Sequence, residues 1–179
     1  MKYEINPKIL KRIKNVKQTI QEIENWYNEK PNQKRWQYWS LTRFLSLQGV
    51  RISEALTLTW DNIDFASKTA LIRQLKKRKE TMREIPLHPQ VIEAFEKYPG
   101  KRQGKVWKIS RIAAYSFYRK YGVNPHVFRH HFAISLLKKG IDLETIRRVL
   151  GHSGYSYIKM YLDLNLEDVR EKIEQISLF

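Results

Sequence analysis

Arg51 in GVRISEAL, His126 and Arg129 in HVFRHHF, His152 in LGHSGYSY and Tyr161 in IKMYLDL are the side chains whose types and spacing invite chemistry. Guanidinium is planar, permanently charged and bidentate toward phosphate oxygens. Imidazole titrates near neutral pH, so it can accept or relay a proton. A phenol, with an unperturbed pKa of about 10, is a weak nucleophile until its proton is removed. Gathered around one group, these types suit a phosphodiester, whose pentacoordinate transition state puts extra negative charge on the non-bridging oxygens. Taken singly, each has a plainer reading. An arginine beside a glycine turn is a solvated surface group. A His/Arg pair at i, i+3 is a cap or surface pair on one helix face. His152 alone is a turn histidine, and Tyr161 alone is one of ten tyrosines.

The order of these clusters carries more than any member does. It runs GVRISEALTLTW (49–60), LKKRKETMREIPL (75–87), HVFRHHFAISLLKKG (126–140) and LGHSGYSYIKMY (150–161), with Tyr161 nine residues past His152. That succession resembles the tyrosine recombinases, the family of phage, archaeal-virus and Xer-type integrases. The flanking apolar residues Leu56, Leu58 and Trp60, the Ile85-Pro86-Leu87 run and the segment Phe132 to Leu137 match as well. The resemblance covers roughly residues 40–165.

The resemblance implies a site-specific recombinase that cuts and rejoins DNA through a 3′-phosphotyrosine. Tyr161 would be the nucleophile, Arg51 and Arg129 the clamp on the phosphate, and His152 a further donor to it. His126 would take or relay the phenolic proton. Glu54 and His130 would support, with Glu54 orienting Arg51 or His126. A hairpin lysine would protonate the leaving 5′ oxygen. In the family that lysine stands about eight residues before the hairpin proline, where this chain has Arg78. Lys76, Lys77 and Lys79 are the candidates. Lys76 is preferred because it sits directly at the end of TALIRQL, and Lys77, Arg78, Lys79 and Arg83 are assigned to DNA contact. No cofactor and no metal are implied. The partners implied are double-stranded DNA and further copies of the chain, as a tetramer on paired sites. Alternatives sharing the chemistry are a type IB topoisomerase or a telomere resolvase, and an alternative without chemistry is a DNA-binding relic.

The elements that must position these residues are mostly helices. Ile9, Ile13, Val16, Ile20, Ile23 and Tyr27 mark an amphipathic helix over 8–27, entered through Asn6-Pro7 and followed by a polar break at Pro31. Helices are expected at 36–48, closed by Gly49, from Ile52 until Trp60-Asp61-Asn62, and at 89–98, 109–121, 127–139, 142–149 and 166–177. TALIRQL (69–75) and REIPL (83–87) read as two strands of a hairpin with a basic tip, with Pro86 at an edge or strand end. The expected class is α+β, mainly α-helical with a small antiparallel hairpin, the DNA breaking-rejoining catalytic fold. The expected division is an N-terminal helix and linker (1–35), a catalytic core (36–165) and a C-terminal helix (166–179). That last helix carries Leu166, Val169, Ile173, Ile176 and Phe179 at helical spacing, and it packs either on its own domain or on a neighbouring protomer. With some 35 residues before the core, the chain is either an excised catalytic domain or a minimal protein.

Composition agrees with a folded domain, at 42% hydrophobic and 29% charged residues. Lys and Arg number 34 against 18 acidic residues, a formal charge of +16 that points to a polyanionic partner. Without cysteine there are no disulfides, thiolate metal sites or cysteine nucleophiles. His130 and His131 lack further ligands at zinc spacing. No secretory signal and no bilayer-spanning run is legible, so the expected location is the cytoplasm, on the nucleoid or host-cell DNA.

Overall fold

The computed structural model describes residues 4–5, 15–74, 81–151 and 162–163 of the chain. Helix α1 (Val16–Glu29) turns Val16, Thr19, Ile23 and Tyr27 inward, the three-and-four spacing expected of it. The first turns of the expected helix, residues 8–14, lie outside the described residues. Helix α2 (Gln33–Gln48) begins three residues earlier than its apolar pattern announces. The cause is Asn32, whose side chain accepts a hydrogen bond from the Arg35 N–H at 3.0 Å.

Helix α2 runs through the middle of the fold, burying Trp36, Trp39, Leu41, Phe44 and Leu45 on several faces. Two of the polar groups this burial traps are paired, while Ser46 Oγ is buried without a hydrogen-bond partner among the described residues. Ser40 Oγ accepts from Trp107 Nε1 at 2.9 Å, and Thr42 Oγ1 donates to the Tyr38 carbonyl at 2.7 Å. Around the helix lies an aromatic core of Trp36, Trp39, Phe44, Phe95, Trp107, Tyr118 and Phe128.

Helix α3 (Ile52–Ala55) is a single turn, shorter than expected. The chain leaves it because the backbone finds other partners. Val106 N–H donates to the Leu58 carbonyl and Trp60 N–H to the Gly104 carbonyl, both at 3.0 Å. A 3₁₀ turn at Trp60–Asn62 then leads into the sheet.

That sheet has the antiparallel order β2 (Ile63–Asp64), β3 (Thr69–Gln74), β4 (Thr81–Pro86). Strand β2 was not expected from the sequence, and a two-residue strand leaves no periodicity to find. Pro86 is the last residue of β4, opposite Thr69, at the strand end where it was expected. The hairpin register is closed at its far end by Gln74 opposite Thr81. The basic tip, 75–80, lies outside the described residues.

Helices α4 (Pro89–Glu96), α5 (Arg111–Arg119), α6 (His126–Lys138) and α7 (Leu143–Leu150) follow. Ser110 caps α5 through Ala113 N–H at 3.1 Å, and Asp142 caps α7 through Thr145 N–H at 2.9 Å. A second, smaller core of Ala133, Ile134, Leu137, Ile146 and Leu150 joins α6 to α7.

One pairing has no counterpart in the sequence reading. Strand β1 (Glu4–Ile5) pairs antiparallel with β5 (Leu162–Asp163), Glu4 facing Asp163 and Ile5 facing Leu162. The expected helix over 166–177 lies outside the described residues. The architecture is α+β, mainly helical with small antiparallel sheets.

Candidate active site

The site is built where α2 and α7 end and where α3 and α6 begin. Helices α2 and α7 both stop at a glycine in the left-handed region, Gly49 at φ 61° and Gly151 at φ 66°. Arg51 lies just past the first, as the residue that caps α3. Its backbone N–H donates to Glu54 Oε2 at 3.0 Å and its Nη1 to Glu54 Oε1 at 2.9 Å. Glu54 is 2% exposed, so it is a buried carboxylate that must be paired, and Arg51 supplies the pairing. The Arg51 side chain itself remains 37% exposed: held from behind, it stays open to solvent.

Arg129, on the second turn-face of α6, is 5% exposed. Its Nη1 donates to the Gly49 carbonyl at 2.6 Å and its Nη2 to the Leu150 carbonyl at 2.7 Å. One guanidinium therefore fastens the C-terminal ends of two helices, where the carbonyls lack intrahelical partners and the helix dipole favours a cation. Gly49 also has packing reasons to be glycine. A Cβ there would stand 2.2 Å from Phe132 Cδ1.

His126 opens α6, one turn before Arg129, and its backbone N–H donates to Asn124 Oδ1 at 3.0 Å. Its Nε2 lies 3.5 Å from the Tyr115 hydroxyl, and Arg111 sits over the Tyr115 ring at 5.3 Å. One edge of the residue opens to solvent, yet the His126 pKa is held below the usual imidazole value. Partial burial is the main cause, followed by the positive charges of Arg129, Arg111 and Arg51. The same charges bear on His126 from α3, α5 and α6. His130 is half-buried on α6, next to Arg129.

Arg83, expected as a DNA contact, is largely enclosed. On β4 it points inward with Thr81 and Ile85 and is 13% exposed at the side chain. Its Nη2 faces Glu54 Oε2 at 3.5 Å, and its Nη1 donates to the Val149 carbonyl in the last turn of α7. The two-residue period of a strand explains the difference, since it sends Met82 and Glu84 outward and Arg83 in.

Lys76, Lys77, Arg78, Lys79, His152 and Tyr161 lie outside the described residues. Four described positions flank them in the chain: Gln74 and Thr81 on either side of the hairpin tip, Gly151 directly before His152 and Leu162 directly after Tyr161. Tyr115 and Arg111 were missed in the sequence. Helical spacing places them on α5 but does not say which face meets His126. Among the described residues no group of three or more His, Asp or Glu side chains is arranged to hold a metal ion. No helix among them is long and apolar enough to cross a membrane.

The chain is a helical domain with small antiparallel sheets, and it holds two arginines at one helix junction. The chain belongs to the phage integrase family, whose model matches residues 12–168. It is similar to the tyrosine recombinase XerA of Pyrococcus horikoshii, 28% identical over an alignment of 148 positions that covers 73% of this chain and 51% of that protein. A tyrosine recombinase of Pseudothermotoga lettingae is 30% identical over an alignment of 175 positions that covers 88% of this chain and 59% of that protein. The chain thus spans little more than half the length of these relatives. Among solved structures, XerA recombinase shares the fold with a TM-score of 0.61 at 20% identity, over 98% of this chain and 65% of that one. XerH site-specific recombinase bound to difH substrate, in a pre-cleavage complex, gives 0.65 at 19% identity, over 97% of this chain and 54% of that one.

Proposed function

We propose that this chain is the catalytic part of a site-specific DNA recombinase or integrase, with residues 36–165 as its core. The observation that carries the reading is the Gly49 junction, where Arg129 holds the carbonyl two residues before Arg51. This supports a clamp of the two arginines beside His126, whose pKa is lowered first by partial burial and then by the charges of Arg129, Arg111 and Arg51.

In this mechanism the Tyr161 phenolic oxygen attacks the scissile phosphorus as its proton passes to His126. Arg51, Arg129 and His152 take the charge that builds on the non-bridging oxygens. The bond from phosphorus to the 5′ oxygen breaks, and Lys76 gives that oxygen its proton. One phosphoester replaces another, so the bond energy is conserved in a 3′-phosphotyrosine. A free 5′ hydroxyl then reverses the same steps on a new strand, without a nucleotide cofactor. Double-stranded DNA is the substrate, and a tetramer on paired sites is the working assembly. The +16 charge supports the first of these.

The test is trapping. A pool of nicked duplexes of randomised sequence loses a short 5′ fragment on cleavage and leaves the enzyme covalently attached. Mass spectrometry of the digested adduct is expected to find the phosphonucleotide on Tyr161. An adduct on another residue, or none at any DNA concentration, overturns the reading. Relaxation of supercoiled plasmid without site preference would favour a type IB topoisomerase instead.

A further inference from the structure

We infer that Arg83 is a positioning residue for the phosphate clamp, acting through Glu54 on Arg51 and through the end of α7 on the turn that leads into His152. This rests on the function proposed above and gives β4 a part in it. Three chain segments meet at this side chain. From α3 comes Glu54, whose Oε2 accepts from the Arg51 N–H and also faces Arg83 Nη2 at 3.5 Å. From α7 comes the Val149 carbonyl, which accepts from Arg83 Nη1. Past α7 comes Gly151, against which the guanidinium is pressed. A Cβ added to Gly151 would stand 3.3 Å from both Cζ and Nε of Arg83.

The electrostatics explain why a cation belongs there. Glu54 is buried, and its carboxylate is shared by Arg51 on one side and Arg83 on the other. Burial and the neighbouring Arg51 charge both weaken the hold of Arg83 on its proton, while Glu54 strengthens it. Arg83 thus competes with Arg51 for one carboxylate and limits how far Glu54 can swing toward Arg51. Buried Nε and Nη2 atoms make Arg83 a poor direct contact to a DNA phosphate. Arg129 holds the Leu150 carbonyl and Arg83 the one before it. The two arginines together fix the last turn of α7, and His152 is two residues past that turn.

The experiment compares the unaltered chain with Arg83→Met and the milder Arg83→Lys, using a nicked duplex recovered from the randomised pool. Single-turnover adduct formation, DNA retention across a salt series, and a duplex with a methylphosphonate at the scissile position are measured for each. Replacing one non-bridging oxygen by methyl removes the charge that the clamp exists to neutralise. Arg83→Met is expected to slow adduct formation on the phosphodiester by about 100-fold, the scale of an ångström-sized misplacement. Its DNA retention and salt slope stay unchanged, and its deficit shrinks at least tenfold on the methylphosphonate, with Arg83→Lys falling between. Equal deficits on both substrates would mean a merely structural role and overturn the inference. So would weaker retention with a salt slope reduced by about 0.9, the signature of a lost phosphate contact. A chain that forms no adduct even unaltered would sink the proposed function and this inference with it. Normal adduct formation by Arg83→Met would sink this inference alone.

Discussion

Arg129 combines two tasks that are usually separate, since the side chain proposed to bind phosphate also closes two helix ends. Arg129→Met would leave the Gly49 and Leu150 carbonyls buried without donors. Each such group costs about 1–3 kcal/mol, so a loss of roughly 2–6 kcal/mol in urea unfolding is expected alongside the loss of cleavage. His126 is the other residue whose surroundings make a quantitative demand. Its pKa is depressed, so it remains a neutral base below the ordinary imidazole value of about 6.5. Adduct formation should therefore hold level as pH falls past 6.5 and decline only at the lower, folded-state pKa. Arg111→Met removes one of the charges responsible, so the decline should begin at higher pH. An acid limb that does not move between the two proteins would remove Arg111 from the electrostatics of the site.

At the scale of elements, the junctions matter more than the helices. Gly49 adopts a positive φ and leaves no room for a Cβ beside Phe132. Gly49→Ala is expected to cost about 2 kcal/mol from the left-handed backbone and the crowding together, read as a lower urea midpoint. Arg51, two residues on, should lose cleavage in the same variant. Helix α6 makes a further demand, because His131 as well as His126 has a lowered pKa, with burial first among the causes. Both groups bind protons more readily unfolded than folded. Stability is therefore undiminished above the unfolded value of about 6.5 and is lost as pH falls through it toward the folded values. His131→Phe should flatten that loss in unfolding measured from pH 7.5 to 5.5.

These junctions also mark where the sequence was legible. Gly49 was readable as a helix stop because a left-handed C-cap favours glycine, and Arg51 and Arg129 stood out through order and spacing. Their connection was not readable. An arginine that bonds to backbone carbonyls leaves no mark on the identity of its partners, since every residue has a carbonyl. Arg83 is grouped in the sequence with the tip residues as a DNA contact, and only the strand period separates it from them. The helix expected to run on from Ile52 stopped at Ala55 because residues 104–106 compete for its backbone, a partner some fifty positions away.

For the whole molecule, charge is the property that reaches furthest. With 34 basic against 18 acidic residues, DNA retention should fall steeply and linearly on a log-log plot against salt. Retention that is indifferent to salt between 50 and 200 mM, the range over which several phosphate contacts lose about a thousandfold, would argue against a phosphate-dominated interface. The pairing of β1 with β5 has a consequence of a different kind, in the order of events during synthesis. Glu4–Ile5 leaves the ribosome far ahead of Leu162–Asp163, so the two strands can join only after the residues between them have been made. Closing so long a loop carries an entropic cost that the helices, with their local contacts, do not bear. Tyr161 is bonded directly to Leu162. A nascent chain can therefore build its arginine junction before this pairing, the anchor beside the proposed nucleophile, is able to form.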